Sequence, residues 1–169
     1  MPIYERLRFP IGDGTRLDRT VTLDFEDDWP YGECPTGVDK THTGIDVDAA
    51  VGENVYAAGS GVIKTIHEDS DGYWKWVIVI DHGGYTTQYW YLDDPHSDEI
   101  FENATVTKGQ FIGKVTNLGG NTHFHFGIRD FPFTTYAIPI AGALPKDECD
   151  SYPAFLTEHF INPTLLTYE

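Results

Sequence analysis

The chain has 169 residues and a formal net charge of −16. Its size suits one domain with a core of its own, and its charge argues against nucleic acid or an anionic membrane surface as partner. No apolar run reaches the length of a membrane span, and Met1-Pro2-Ile3-Tyr4-Glu5-Arg6 lacks the basic-then-apolar pattern of a signal peptide, so the chain is expected to be soluble, either intracellular or with its signal removed.

Residues 1–40 read as an irregular N-terminal arm, punctuated by Asp13-Gly14, Trp29-Pro30-Tyr31-Gly32 and Pro35-Thr36-Gly37. One alternating strand is expected there, from Thr20 to Phe25. From Gly44 onward, short β-branched runs alternate with glycine turns: Ile45 to Val47, Val55 to Ala57, Val62 to Ile66, Trp74 to Ile80, Tyr85 to Leu92, Gln110 to Val115 and Thr122 to Arg129. This spacing predicts an all-β sandwich or half-barrel of mostly antiparallel sheets. Asp69-Ser70-Asp71-Gly72 and His82-Gly83-Gly84 are the expected hairpin turns. Val77-Ile78-Val79-Ile80 is apolar on both faces and belongs in the middle of a sheet.

Little helix is expected, confined to Ala154 to Phe160. Residues 131–160, with Pro132, Pro139, Gly142 and Pro145, read as a long loop of the kind that walls or covers a site. The organisation is one domain, 1–169: the arm, a β core at 41–130, the loop, and a closing segment at 161–169, acting as a monomer. Cys34 and Cys149 form no Cys-x-x-Cys pair and cannot build a structural zinc site alone. They are either one disulfide, in an oxidising compartment, or two thiols.

The stretch His123-Phe124-His125-Phe126 carries the strongest chemical signal. In a strand, His123 and His125 share one face while Phe124 and Phe126 take the other, where they can be buried. Imidazole is both the commonest metal ligand and the commonest acid–base group near neutral pH. His42-Thr43-Gly44-Ile45-Asp46 offers a second imidazole and a carboxylate, which a bend at Gly44 lets converge. His42, Asp46 and His125 together make three protein ligands with a fourth position open, the pattern of a catalytic zinc site. His123, on the same face but off the metal, is then placed to act as general base.

These elements, with Gly52 to Val62, Val77-Ile78-Val79-Ile80-Asp81-His82-Gly83, Tyr85-Thr86-Thr87, Val106 to Gly113 and the ending Ile161 to Leu166, resemble the lysostaphin/LytM-type zinc metalloendopeptidases in content and order. The resemblance covers about residues 40 to 129 plus that ending. It implies a mostly antiparallel β fold of the duplicated-hybrid-motif type, one Zn²⁺ per chain held by His42, Asp46 and His125, and His123 as the catalytic histidine. It further implies hydrolysis of peptide bonds in bacterial peptidoglycan, in an extracellular or periplasmic setting.

One position departs from the family pattern. Where a Tyr-x-His-Leu segment usually supplies another histidine, the chain has Tyr89-Trp90-Tyr91-Leu92. Tyr91 is expected to replace that histidine as a hydrogen-bond donor to the developing oxyanion, with His96 as the alternative imidazole. His82 reads as a turn residue. Two other functions are weighed: a catalytically impaired module of the same fold that binds cell wall or activates another hydrolase, and a phosphocarrier. The retained His42, Asp46 and His125 favour the enzyme over the first, and the His-x-x-x-Asp element argues against the second.

Overall fold

Short β-branched runs between glycines become strands largely where the pattern places them. In this computed structural model, which describes residues 6–15, 17–25, 27–33, 39–69, 72, 75–130, 133 and 160–169, they are β1 (Val21–Leu23), β2 (Asp28–Glu33), β3 (Asp39–Thr41), β4 (Gly44–Asp48), β5 (Asn54–Tyr56) and β6 (Gly61–Glu68). The second half supplies β7 (Trp76–Asp81), β8 (Thr86–Leu92), β9 (Thr105–Val106), β10 (Phe111–Lys114), β11 (His123–Arg129) and β12 (Phe160–Ile161). Among the described residues helix is limited to short 3₁₀ turns such as Gly119–Asn121 and Pro163–Leu165. The fold is all-β and mostly antiparallel.

One antiparallel sheet runs in the order β1-β4-β11-β8-β7-β6-β9, with β12 also pairing β11; β5 pairs β10, and β2 pairs β3. The arm is therefore not wholly irregular, because β2 and β3 pair within it. The expected turn at His82-Gly83-Gly84 lies between the paired strands β7 and β8; β6 pairs β7, and Ser70 and Asp71 of the other expected turn lie outside the described residues. The two-residue strands β9 and β12 carry too little pattern to be read from sequence. The expected helix lies outside the described residues except for Phe160, which begins β12. Cys34 and Cys149 lie outside them, as does most of the long loop.

Alternation along each strand separates two faces. One face carries Ile78, Ile80, Tyr89, Phe124, Phe126 and Ile128 into the main core. That core also takes Leu7, Phe9 and Ile11 from the arm and Tyr168 from the closing segment. Phe9 bridges them edge-on, 6.0 Å from Phe126 and 5.1 Å from Tyr168 between ring centroids. The opposite face carries a smaller cluster of Val77, Val79, Trp90 and Tyr91. All four residues from Val77 to Ile80 are fully buried, as their two-sided apolar pattern requires of a central strand.

His82 is more than a turn residue. Its Nδ1 lies 2.8 Å from the Ser60 carbonyl, which can only accept, so the ring proton sits on Nδ1. Nε2 is then the acceptor for the Thr87 hydroxyl at 2.8 Å. Thr87 in turn accepts from the Tyr89 hydroxyl at 2.8 Å, and Tyr89 accepts the Ala58 N–H at 2.8 Å. Every member is satisfied only while His82 is neutral.

Burial lowers the His82 pKa from its ordinary 6.5, against the opposing effects of the Ser60 bond and the Asp81 charge. As pH falls, the unfolded chain therefore takes up a proton that the folded chain resists. The stabilisation from neutral His82 is complete above its unfolded pKa of about 6.5 and declines below it. Urea midpoints at about pH 7.5 and about pH 5.5 test this: wild type is expected to lose more stability across the interval than His82→Gln.

Candidate metal centre

The site is set by the pairing of β4 with β11, in which His125 stands opposite Asp46 and His123 opposite Asp48. Directly opposed residues share a face, so both histidines and both aspartates lie on the face away from the main core. His42 lies two residues before β4 and is tied down by its own N–H, which donates to the Asp27 carbonyl at 2.8 Å.

Gly44 acts here through close approach rather than through a bend. Its φ is not among the positive values, but a Cβ at this position would press on the Phe126 carbonyl oxygen and lie 2.9 Å from both Gly127 Cα and His125 Cε1. Only a residue without a side chain lets β4 approach β11 and the His125 ring this closely.

Three ligating atoms converge. His125 Nδ1 lies 2.9 Å from Asp46 Oδ1 and 2.9 Å from His42 Nε2, and His42 Nε2 lies 3.3 Å from Asp46 Oδ1. Among the described residues this is the one group of three such side chains whose ligating atoms fall within 4.8 Å of one another. A tetrahedral ion with ligands at about 2.0–2.1 Å has ligand–ligand edges of roughly 3.4 Å, close to these separations.

Tautomers support the same conclusion. His42 Nδ1 is 2.9 Å from the Asp24 carbonyl oxygen and must carry the proton, which leaves the lone pair of the neutral ring on Nε2. The triangle then holds at most one proton, on His125 Nδ1, among three inward-facing atoms. A cation satisfies all three lone pairs at once, and the outward bond to Asp24 is the arrangement that orients a metal-binding imidazole.

Charge states fit too. Burial drives the His125 pKa down to about 4, with the Asp46 hydrogen bond opposing it, so the ring is neutral and ligand-competent near pH 7. Burial alone would raise the Asp46 carboxyl, but contact with the His125 and His42 rings overrides it and holds the group ionised below the usual carboxylate range.

His123 is held differently. Its Nδ1 donates to the Asn121 carbonyl at 2.7 Å, so the neutral ring keeps its lone pair on Nε2. That atom is buried, has no hydrogen-bond partner among the described residues, and sits 3.6 Å from Asp46 Oδ2. Beside it lies Tyr91, whose ring is 4.3 Å away and edge-on. Tyr91 occupies the left-handed region at φ 66°, at an irregularity where Trp76 pairs Leu92 but Val77 pairs Trp90. A bulky side chain rarely adopts that conformation, at a cost of about 1–2 kcal/mol. The bulge makes Tyr91 the extra residue in β8 and takes it out of strict alternation.

The structure thus brings together His42, Asp46, His125, His123 and Tyr91. His96 is held elsewhere, bonded to Asp94 at 2.7 Å and stacked edge-on against Trp76 at 5.1 Å. The sequence reading missed Trp90, whose ring backs His125 at 5.2 Å, and Gln88, whose Oε1 accepts the Trp90 indole N–H at 3.1 Å. The signal available was parity along β8, which puts both on the histidine face.

The sequence profile of Peptidase family M23 matches residues 40–136, more than half of the chain. The chain belongs to that family. This bears out the resemblance drawn from the motifs. Among solved structures, the chain is similar to a zinc containing peptidase from Vibrio cholerae (26% identity, TM-score 0.54, covering 73% of this chain and 36% of that one). It shares the fold of the catalytic domain of lysostaphin from Staphylococcus simulans (22% identity, TM-score 0.52, covering 69% and 84%). It also shares the fold of a chain of the SpoIIQ-SpoIIIAH pore forming complex (20% identity, TM-score 0.53, covering 78% and 89%). The alignment thus spans about a third of the Vibrio peptidase. A search of curated proteins by sequence gave no significant match.

Metal binding is testable without catalysis. Adding zinc to metal-stripped protein should raise the unfolding temperature, with a stabilisation of about 4 kcal/mol at a thousandfold excess over Kd. Calorimetry should show that rise abolished in Asp46→Ala and His125→Ala but kept in His123→Ala. A second substitution tests the close approach: Gly44→Ala should lower stability by about 1–3 kcal/mol, read from urea unfolding.

Proposed function

We propose that this M23 peptidase is a zinc-dependent endopeptidase that hydrolyses peptide bonds in bacterial peptidoglycan stem peptides or cross-bridges, acting outside the cytoplasm. The observation that carries the proposal is the convergence of His42 Nε2, His125 Nδ1 and Asp46 Oδ1, with the bare Nε2 of His123 beside them. His42, Asp46 and His125 would hold the ion. When bound, zinc supplies Lewis-acid polarisation of a peptide carbonyl and makes water acidic near neutral pH.

The chain's own residues then divide the remaining work. His123 Nε2 takes the proton of the attacking water and returns it to the leaving amine. The Asn121 carbonyl keeps the other ring nitrogen protonated, so Nε2 is always the basic atom. Asp46 Oδ2 lies 3.6 Å from that nitrogen. The Tyr91 hydroxyl donates a hydrogen bond to the oxyanion, the role that the family's usual histidine leaves vacant. Tyr91 cannot serve as a cation, since a phenol is neutral until about pH 10.

A second reading, a same-fold module without peptidase activity, draws on Tyr91 standing where the family usually has histidine and on the fold shared with a chain of a pore forming complex. Digestion of purified peptidoglycan separates the two. The peptidase reading expects wild type to release soluble fragments and zinc to be present at one ion per chain, with both lost in His125→Ala. His123→Ala should keep its zinc and slow turnover by about 10²–10⁴-fold, and Tyr91→Phe by about 10²–10³-fold. Zinc-loaded wild type that leaves peptidoglycan intact would favour the module, and an unchanged rate in Tyr91→Phe would remove the oxyanion role.

A further inference from the structure

His42 is fully buried, yet the residues that hold it, Asp24 and Asp27, are exposed. Two bonds fix it from outside. The ring Nδ1–H donates to the Asp24 carbonyl at 2.9 Å, and the backbone N–H donates to the Asp27 carbonyl at 2.8 Å. The second bond sets where the residue sits and the first sets how the ring is turned. Both depend on one short stretch, residues 24–27.

Three contacts keep that stretch in place. The Asp27 carboxylate closes it: Oδ2 accepts the Asp24 N–H at 2.8 Å, while the Asp27 N–H donates back to the Asp24 carbonyl at 3.3 Å. Reciprocal bonds of this kind give a turn one geometry without regular secondary structure. Phe25, between the two aspartates, packs against the main core. After Asp27 the chain enters β2, whose first residue, Asp28, pairs with Thr41 of β3, so the bond from His42 to Asp27 extends that ladder by one step.

The Asp24 carbonyl thus accepts two N–H groups, one from the turn and one from the ring, which its two lone pairs allow. The ring bond has a competitor. Asp46 Oδ1 lies 3.3 Å from His42 Nε2, and in the metal-free protein it attracts the ring proton to that nitrogen. A proton there occupies the lone pair that an ion needs. A fixed turn keeps the proton on Nδ1; a loose one lets it move to Nε2.

We propose that Asp27 is a positioning residue for the metal centre. Its carboxylate holds residues 24–27 so that Asp24 presents its carbonyl to His42 Nδ1 and leaves Nε2 bare for the ion. The proposal deepens the zinc-peptidase reading and rests on its metal centre. It also runs in reverse: whatever turn closure adds to zinc affinity, bound zinc adds to turn closure.

Zinc affinity and the His42 tautomer are measured together, by competition with a chelator and by ring-nitrogen NMR of the metal-free protein. Asp27→Ala should weaken zinc binding about tenfold, the lower end of the loss caused by removing an outer partner of a metal-bound imidazole. It should also shift part of the His42 proton from Nδ1 to Nε2. Asp27→Asn keeps a side-chain oxygen for the Asp24 N–H and should stay close to wild type in both. Asp13→Ala removes a turn bond elsewhere in the arm, to the Thr15 N–H at 2.9 Å, and should change neither. Unchanged affinity in Asp27→Ala, a loss with the proton still wholly on Nδ1, or an equal loss in Asp27→Asn or Asp13→Ala would overturn the role. Wild type that binds no zinc would overturn the metal centre and this role with it, whereas failure of the role alone leaves wild-type zinc binding intact.

Discussion

Everything distinctive about this molecule depends on how closely β4 runs beside β11. That approach puts Asp46 directly opposite His125 and lets His42, two residues before β4, close the triangle. Gly44 permits it, because any side chain there would meet the backbone of β11 and the ring of His125. Phe124 and Phe126 fix the other side of the strand in the main core. Packing on one face therefore sets the coordinates of the chemistry on the other, and an ion bound there inherits the rigidity of a central strand.

Two carbonyl oxygens orient His42 and His123 differently beside Asp46. Asp24 takes the outer proton of His42 and turns a lone pair toward Asp46, which with His125 forms the triangle that could hold a metal ion. Asn121 takes the outer proton of His123 and leaves a basic nitrogen that faces Asp46 Oδ2 without joining the triangle. Asp46 thus faces both groups, Oδ1 toward His42 and His125 and Oδ2 toward His123. Tyr91 stands against His123 only because β8 bulges and Tyr91 adopts a left-handed backbone. The strain fits a position held for function rather than for stability.

The strand pattern and the histidine–aspartate set were legible from sequence, since both follow from side-chain alternation and residue type. Val77 to Ile80 announced a central strand by being apolar on both faces, and His123 with His125 announced a chemical face by alternating with Phe124 and Phe126. The tautomers were not legible, because any residue offers a carbonyl and nothing marks Asp24 or Asn121 as the acceptor. Nor was the depth of the arm: Leu7, Phe9 and Ile11 alternate too briefly to predict a place in the core. Gly44 was read as a bend and proved to be a point of contact. His82 was read as a turn residue and proved to be the end of a buried hydrogen-bonded chain through Thr87 and Tyr89. For His42 and Gly44 the deciding partners, Asp24 and β11, are far away in sequence.

The central claim is that backbone carbonyls make His42 a ligand and His123 a base on one shared face. Ring-nitrogen NMR of the zinc-loaded protein tests it most directly. The account predicts protonated Nδ1 in both His42 and His123, with metal-induced shifts at His42 Nε2 and His125 Nδ1 and none at His123. A metal-induced shift at His123 Nε2, or a proton on that atom in the neutral ring, would contradict it.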